Sequence, residues 1–274
     1  MKRFILSVLL LLVGVLLIGC NQTTTVARET LVVGMETAYA PFNWEVDSQG
    51  SYEGVVPIHG KSTFADGYDV MIAKIIAEEL NMDLVIKSVE WEGIILSLVS
   101  SKEIDVIIAG MSPTADRALT VDFSNEYYQS SHVVVLRSDS IYADATSIND
   151  FTGARGVGQT QTIYDDLIGQ LDGAIHEQGL GDVPTIITAI KQGTYDLTVL
   201  ELPVAKAVTE TNPELIYIDF TSGNGFDISY EDSAVAIAVR KGETDLLESI
   251  NSVLASITTE EREAMMDEAL SRQP

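Results

Sequence analysis

Cysteine occurs once, as Cys20, so the chain cannot form an internal disulfide. Histidine occurs three times, at His59, His132 and His176, far apart and without cysteine partners, so no metal site is expected. Each histidine reads as a surface or hinge residue. Cations are scarce: 16 Lys and Arg stand against 41 Asp and Glu, a formal net charge of −25. That balance excludes nucleic acid as a partner, and anionic lipid as an electrostatic one. No GxSxG, HExxH, P-loop or EF-hand pattern is present, and Gly156-x-Gly158 lacks the third glycine of a dinucleotide fingerprint, Gln161 standing in its place. No cofactor is expected and no catalytic residue is assigned. With so many acids, two carboxylates at a chosen spacing carry no information. Only 7 prolines and 20 glycines in 274 residues exclude a collagenous or low-complexity chain, and no internal repeat is found.

The one long apolar run is FILSVLLLLVGVLLI, from Phe4 to Ile18, behind Lys2 and Arg3. A spanning helix needs roughly 20 apolar residues, so this run fits the core of an export signal better. Leu17-Ile18-Gly19-Cys20 resembles the lipobox of bacterial lipoproteins, which gives the lone cysteine a role as the lipidated residue. Residues 1–19 are thus expected to be a lipoprotein signal peptide, and residues 20–30, polar and Thr-rich, the lipidated Cys20 and its tether. The protein is expected outside the cell membrane, anchored to its outer face.

Beyond the tether, β-rich runs beginning at Leu31, Asp83, Ile104, His132, Asp196 and Ala234 alternate with helical patterns, which is α/β organisation and favours parallel sheets. Met71, Ile72, Ile75, Ile76 and Leu80 recur at helical spacing in GYDVMIAKIIAEEL. A second helix opens at Pro184 and stops before Gly193. Thr258 and Glu261 form a capping box ahead of a final helix reaching about Ser271, read as a lid on one domain. Between Trp44 and Asp66 the pattern lapses into Gly, Ser, Asp and Lys, long enough for a hairpin or excursion.

Three passages are informative together: GMETAYAPFNW from Gly34, WEGIILSLVSSKEIDVIIAGMSPTADRALTVDF from Trp91, and DLTVLELPVA from Asp196. In them the chain resembles the polar amino acid ABC transporter substrate-binding lipoproteins, that is, bacterial solute-binding protein family 3 with the periplasmic binding protein type 2 fold. The resemblance implies an α/β, two-lobe, Venus-flytrap architecture with two hinge strands: a large lobe of residues 31–129 plus 234–274 and a small lobe of residues 132–230. The ligand would be caught between the lobes, at the carboxyl ends of strands.

The implied site begins with Arg117, one short turn beyond residues 110–114, which follow the strand at residues 104–109; a surface arginine paired with Asp116 or Asp122 is the alternative. A planar guanidinium gives a ligand carboxylate two parallel charge-assisted bonds. Glu201, in a place where many relatives have Asp, would receive the α-ammonium; a purely structural role, capping the following helix, is the alternative. The Ser112 hydroxyl and Gly110 carbonyl would supply further acceptors, with the Ser112 amide helping Arg117, and Met111 lies between them. Tyr39 and Trp91 are the expected aromatic walls, while Phe42 and Trp44 read equally as core or rim. Glu36 would meet the far end of the ligand side chain, favouring Gln or a basic amino acid over an acidic one. Thr160 and Gln161 would direct their amides at the carboxylate from a helix start near Ile163. Gln159 stands where relatives usually have Gly.

The function implied is the extracytoplasmic substrate-binding component of an ABC importer, non-catalytic and monomeric, that delivers a free polar amino acid to the transmembrane permease subunits. Two alternatives from other classes are a same-fold enzyme performing elimination on a small carboxylic acid, with Glu201 or Glu36 as acid or base, and a ligand sensor read by a kinase.

Overall fold

The computed structural model describes residues 28–47, 54–221 and 223–274. Residues 1–19, expected to be a signal peptide, Cys20 and most of the expected tether lie outside these residues, as does the middle of the stretch between Trp44 and Asp66. Among the described residues no helix is long and apolar enough to cross a membrane.

Two five-stranded sheets organise the chain. In the first, β1 (Thr30–Met35) is flanked by β6 (Asp83–Ser88) and β7 (Val106–Ile107), both parallel to it. The order continues through β14 (Ala234–Arg240) to β8 (Val121–Gln129). The second sheet runs β11 (Ile175–His176), β10 (Arg155–Gly156), β12 (Leu197–Glu201), β9 (His132–Arg137) and β13 (Leu215–Ile218). The expectation of parallel sheets is corrected here, because β14 pairs antiparallel with β7 and β8, and β9 antiparallel with β12 and β13. The antiparallel strands β8, β9 and β14 are the ones that carry the chain between the two sheets. Strands β9 and β14 are entered from the opposite sheet, and β8 is the strand that leaves for it, so no crossover within one sheet forces the pairs β9–β12 and β14–β8 into parallel alignment.

A small antiparallel sheet, β2 (Ala38–Tyr39), β3 (Asn43–Val46), β5 (Phe64–Asp66) and β4 (Val56–Pro57), forms the excursion between Trp44 and Asp66. A bridge from Ile58 to Ile86 lays it against β6, where it covers an edge that would otherwise expose unpaired backbone groups.

The helices cover the sheets. They are α1 (Tyr68–Glu79), α2 (Ile94–Val99), α3 (Ala115–Ala118), α4 (Ile163–Leu167), α5 (Val183–Lys191), α6 (Leu202–Thr211), α7 (Tyr230–Ser233), α8 (Thr244–Ser256) and α9 (Thr259–Arg272). Helix α1 buries Ile72 and Ile76 as its spacing predicts, together with Val70, Ala73 and Ala77. Helix α5 starts on the Asp182 cap with Pro184 in its first turn. Helix α9 carries the expected reciprocal capping box between Thr258 and Glu261. Near its end, Arg272 donates to Asp66 at 2.8 Å, tying α9 to the loop ahead of α1.

The crossing segments lie side by side. Gln129 donates its amide to the Ser233 hydroxyl at 3.1 Å, and the Ser130 amide donates to the Ser233 carbonyl at 3.0 Å. His132 begins β9 at this crossing, and burial pushes its imidazole down to about 4.

Candidate ligand-binding cleft

The half of the cleft carried by the first sheet is held by a buried chain of hydrogen bonds. Thr37, just past β1, adopts φ 59°, and its amide donates to Asn43 Oδ1 at 2.7 Å. Asn43 donates to Asp69 Oδ2 at 2.8 Å, Tyr127 donates its hydroxyl to Asp69 Oδ1 at 2.6 Å, and the Gly110 amide donates to that same hydroxyl at 3.2 Å. The loop after β1 and the loop after β7 are therefore fixed to each other through the start of α1. Burial pushes the Asp69 carboxyl up to about 6, against the pull of its donors. Gly110 has φ 61°, and a Cβ there would lie 2.9 Å from the Tyr39 ring, so both backbone and space demand glycine. Tyr39 stacks on Phe42 at 5.6 Å, and Phe42 and Trp44 are both buried core residues, not rim.

Arg117 stands in α3, whose first turn is capped by Thr114. Its guanidinium lies over Trp91 at 5.1 Å, donates from Nη1 to the Ser112 carbonyl at 2.8 Å, and reaches the second lobe from Nη2 to the Gln161 carbonyl at 2.9 Å. Burial lowers its pKa, yet arginine remains a cation at any physiological pH. Asp122, a neighbour available for a surface pairing, is engaged by Lys241 and the Gly242 amide instead. The geometry is that of a cation presented to a cleft.

Two carboxylates, Glu201 buried and Glu36 half-buried, complete the cleft. Glu201, only 1% exposed, accepts from the Tyr39 hydroxyl at 2.6 Å and the Tyr164 hydroxyl at 3.0 Å, one tyrosine from each lobe. It makes no side-chain cap on α6, so the alternative role of capping that helix is not realised. Burial pushes it up to about 8, with the two tyrosine donors acting in the opposite direction. Glu36, just past β1, accepts from Gln159 Nε2 at 3.0 and 3.2 Å. Burial raises it to about 7, and Asp182 and Glu90 add to the rise.

Glu36, Tyr39, Trp91, Gly110, Ser112 and Arg117 line one chamber with Gln159, Thr162, Ile163 and Tyr164. Met111 and Gln161 line the outer cleft beside it, with Trp91 and Arg117 shared between the two. Glu201 meets the chamber through Tyr39 and Tyr164.

The role expected for Thr160 and Gln161 is corrected. The Thr160 amide donates to the Leu180 carbonyl at 2.8 Å, as does its hydroxyl at 3.1 Å, because a bridge between Gln159 and Leu180 pins this loop to the segment ahead of α5. Gln161 sits at φ 62° and turns its carbonyl, not its amide, toward Arg117. Helix α4 is five residues long and its start is capped by Thr162, with Asp165 and Asp166 in the first turn. Sequence reasoning missed Tyr164, Gln159 as a cross-cleft donor, and the Asn43–Asp69–Tyr127 support. The one available signal was Gln159 in a place where a small residue is usual.

A cation over an indole, two carboxylates and three sets of hydrogen bonds across the cleft between two α/β lobes define a two-lobe solute receptor. The description of bacterial extracellular solute-binding proteins, family 3, matches residues 31–269, and the chain belongs to that family. The arginine-binding extracellular protein ArtP of Bacillus subtilis (strain 168) is 25% identical over 262 residues, covering 93% of this chain and 92% of that protein. A probable histidine-binding protein of Campylobacter jejuni is 28% identical over 243 residues, covering 84% and 87%. Among solved structures, the amino acid ABC transporter substrate-binding protein AbpA from Streptococcus pneumoniae, bound to L-arginine, superposes with a TM-score of 0.73 at 25% identity, covering 89% of this chain and 95% of that one. The family and the two-lobe α/β fold read from the sequence are borne out. All three relatives are named as binding proteins, one as extracellular and one as the substrate-binding protein of an amino acid ABC transporter.

Proposed function

We propose that this chain is the extracytoplasmic substrate-binding component of an ABC importer, taking up an amino acid whose side chain donates hydrogen bonds: a basic one foremost, glutamine next. The observation that carries the reading is Arg117, half-buried against Trp91 and braced by the Ser112 and Gln161 carbonyls, in one chamber with the carboxylate of Glu36. A zwitterion matches that arrangement: its carboxylate meets Arg117, its ammonium the Tyr39–Glu201 end, and a basic side chain Glu36. Relatives named for arginine and histidine support the basic class.

The chain ordering of the two sheets supports a large lobe of residues 31–129 plus 234–274 and a small lobe of residues 132–230, closing about the crossings at 129–132 and 230–234. Residues 1–19 act as a lipoprotein signal peptide, Cys20 carries the lipid that holds the protein to the outer face of the membrane, and the receptor works as a monomer handing its ligand to the permease subunits. Isothermal titration with the common amino acids tests the reading. Lysine, arginine, histidine or glutamine should bind, and glutamate and aspartate should not; tight binding of an acidic amino acid would refute the assignment of Glu36. Incorporation of labelled fatty acid, lost in Cys20→Ala, tests the anchor.

A further inference from the structure

We infer that Gln159 is a specificity-determining residue, holding Glu36 in a way that turns the cleft from guanidinium ligands toward ligands that donate from a single point, such as a lysine ammonium. The inference rests on the reading of the cleft as a basic amino acid site. Gln159 is 3% exposed, and its position is set from the backbone: its carbonyl accepts the Thr162 hydroxyl at 2.7 Å, and it bridges to Leu180. From there its amide nitrogen reaches across the cleft to both oxygens of Glu36, at 3.0 and 3.2 Å, and to the Gly181 carbonyl at 3.0 Å. An amide nitrogen has two hydrogens, and three acceptors within reach use both of them. Among the described residues no cation forms an ion pair with Glu36, and both of its carboxylate oxygens accept from this neutral amide.

The geometry has a chemical consequence. A nitrogen nearly equidistant from both carboxylate oxygens sits between them, on the side where a guanidinium would place its two parallel N–H groups. Arginine can pair with Glu36 in that bidentate way only by displacing Gln159, which breaks its bonds to Glu36 and leaves the Gly181 carbonyl to find another donor. An ammonium needs one oxygen, and the outer lone pairs of the carboxylate remain open to it. Gln159 thus also ties the lobes together and presents, from within the protein, the kind of amide that a glutamine ligand would bring.

The test is the ratio of dissociation constants for L-arginine and L-lysine, measured by titration calorimetry on the wild-type protein, Gln159→Ala and Gln159→Met. Alanine removes both the donor and the volume; methionine removes the donor and keeps most of the volume, and it serves where the alanine variant folds poorly. The inference predicts that the ratio moves toward arginine by about tenfold in Gln159→Ala, and in the same direction by less in Gln159→Met. A ratio unchanged within about twofold in the variants, with both ligands still binding, overturns the role of Gln159 and leaves the receptor reading standing. Failure of the wild-type protein to bind either amino acid would instead overturn the basic-ligand reading itself.

Discussion

Trp91 supports the flat face of Arg117, and two backbone carbonyls from opposite lobes accept hydrogen bonds from its Nη1 and Nη2. Preorganisation of this kind removes most of the ordering cost of a charge-assisted contact. Truncating it to alanine should weaken amino acid binding by at least about a hundredfold while shifting the apo melting temperature by only a few degrees, which calorimetry and a melt together would check. Glu36 and Glu201 make a second prediction at the same scale. Both carboxyls are raised by burial from 4.5, to about 7 and about 8. The folded apo protein therefore keeps protons that the unfolded chain releases, so this part of its stability is present at low pH and is lost as pH rises through about 7 and 8. A cationic ligand requires the ionised forms, so its affinity should rise over that same interval. Melting curves and titrations at about pH 5.5 and 8.5 should move in opposite directions, the apo protein melting lower and the ligand binding tighter at the higher pH.

Loops at strand ends carry the cleft, and their shapes depend on elements that touch no ligand. Tyr127, on β8, holds the Gly110 amide and the Asp69 carboxylate together. Removing its hydroxyl as Tyr127→Phe leaves a buried carboxylate short of a donor and should cost about 1 to 3 kcal/mol in denaturant unfolding, with weaker ligand binding because the Gly110 loop loosens. At the far end of the chain, Thr258→Ala removes the α9 cap and should cost about 1 kcal/mol with binding unchanged. Features of this local kind were legible in the sequence: the α9 capping box, the Pro184 helix start and the spacing of Ile72 and Ile76 each follow from a few adjacent residues. The mixed sheets were not, since strand direction depends on which lobe the chain is coming from. The Thr160 amide was misread for a related reason. A helix start in the sequence suggests free amides, but the partner that consumes this one, Leu180, lies 20 residues away. Arg117, Trp91, Glu36 and Tyr39 were found because the family resemblance marks those positions. Tyr164 and the Asn43–Asp69–Tyr127 chain are joined only by the fold.

The described residues form two α/β bodies linked by adjacent crossings, and within the cleft three groups of hydrogen bonds join them: Glu36 with Gln159, Glu201 with Tyr39, and Arg117 with Gln161. Each of the three involves a residue lining the chamber, so a bound ligand and lobe closure draw on the same side chains. A ligand that touches both lobes shifts the population toward the closed form by its extra contacts there. With 41 acids against 16 bases, the molecule should draw cationic ligands in faster at low ionic strength, an effect that salt screens. The most direct test of the account is a thermal melt of the purified protein against a panel of amino acids, all at one common concentration, where a ligand present at about 100 times its dissociation constant adds about 2.7 kcal/mol. For a chain of this size that corresponds to roughly 5 to 10 °C. The account predicts such a rise with a basic amino acid, its loss in Arg117→Ala, and no rise with glutamate or aspartate; no rise with any amino acid, or an equal rise in the Arg117 variant, would contradict it.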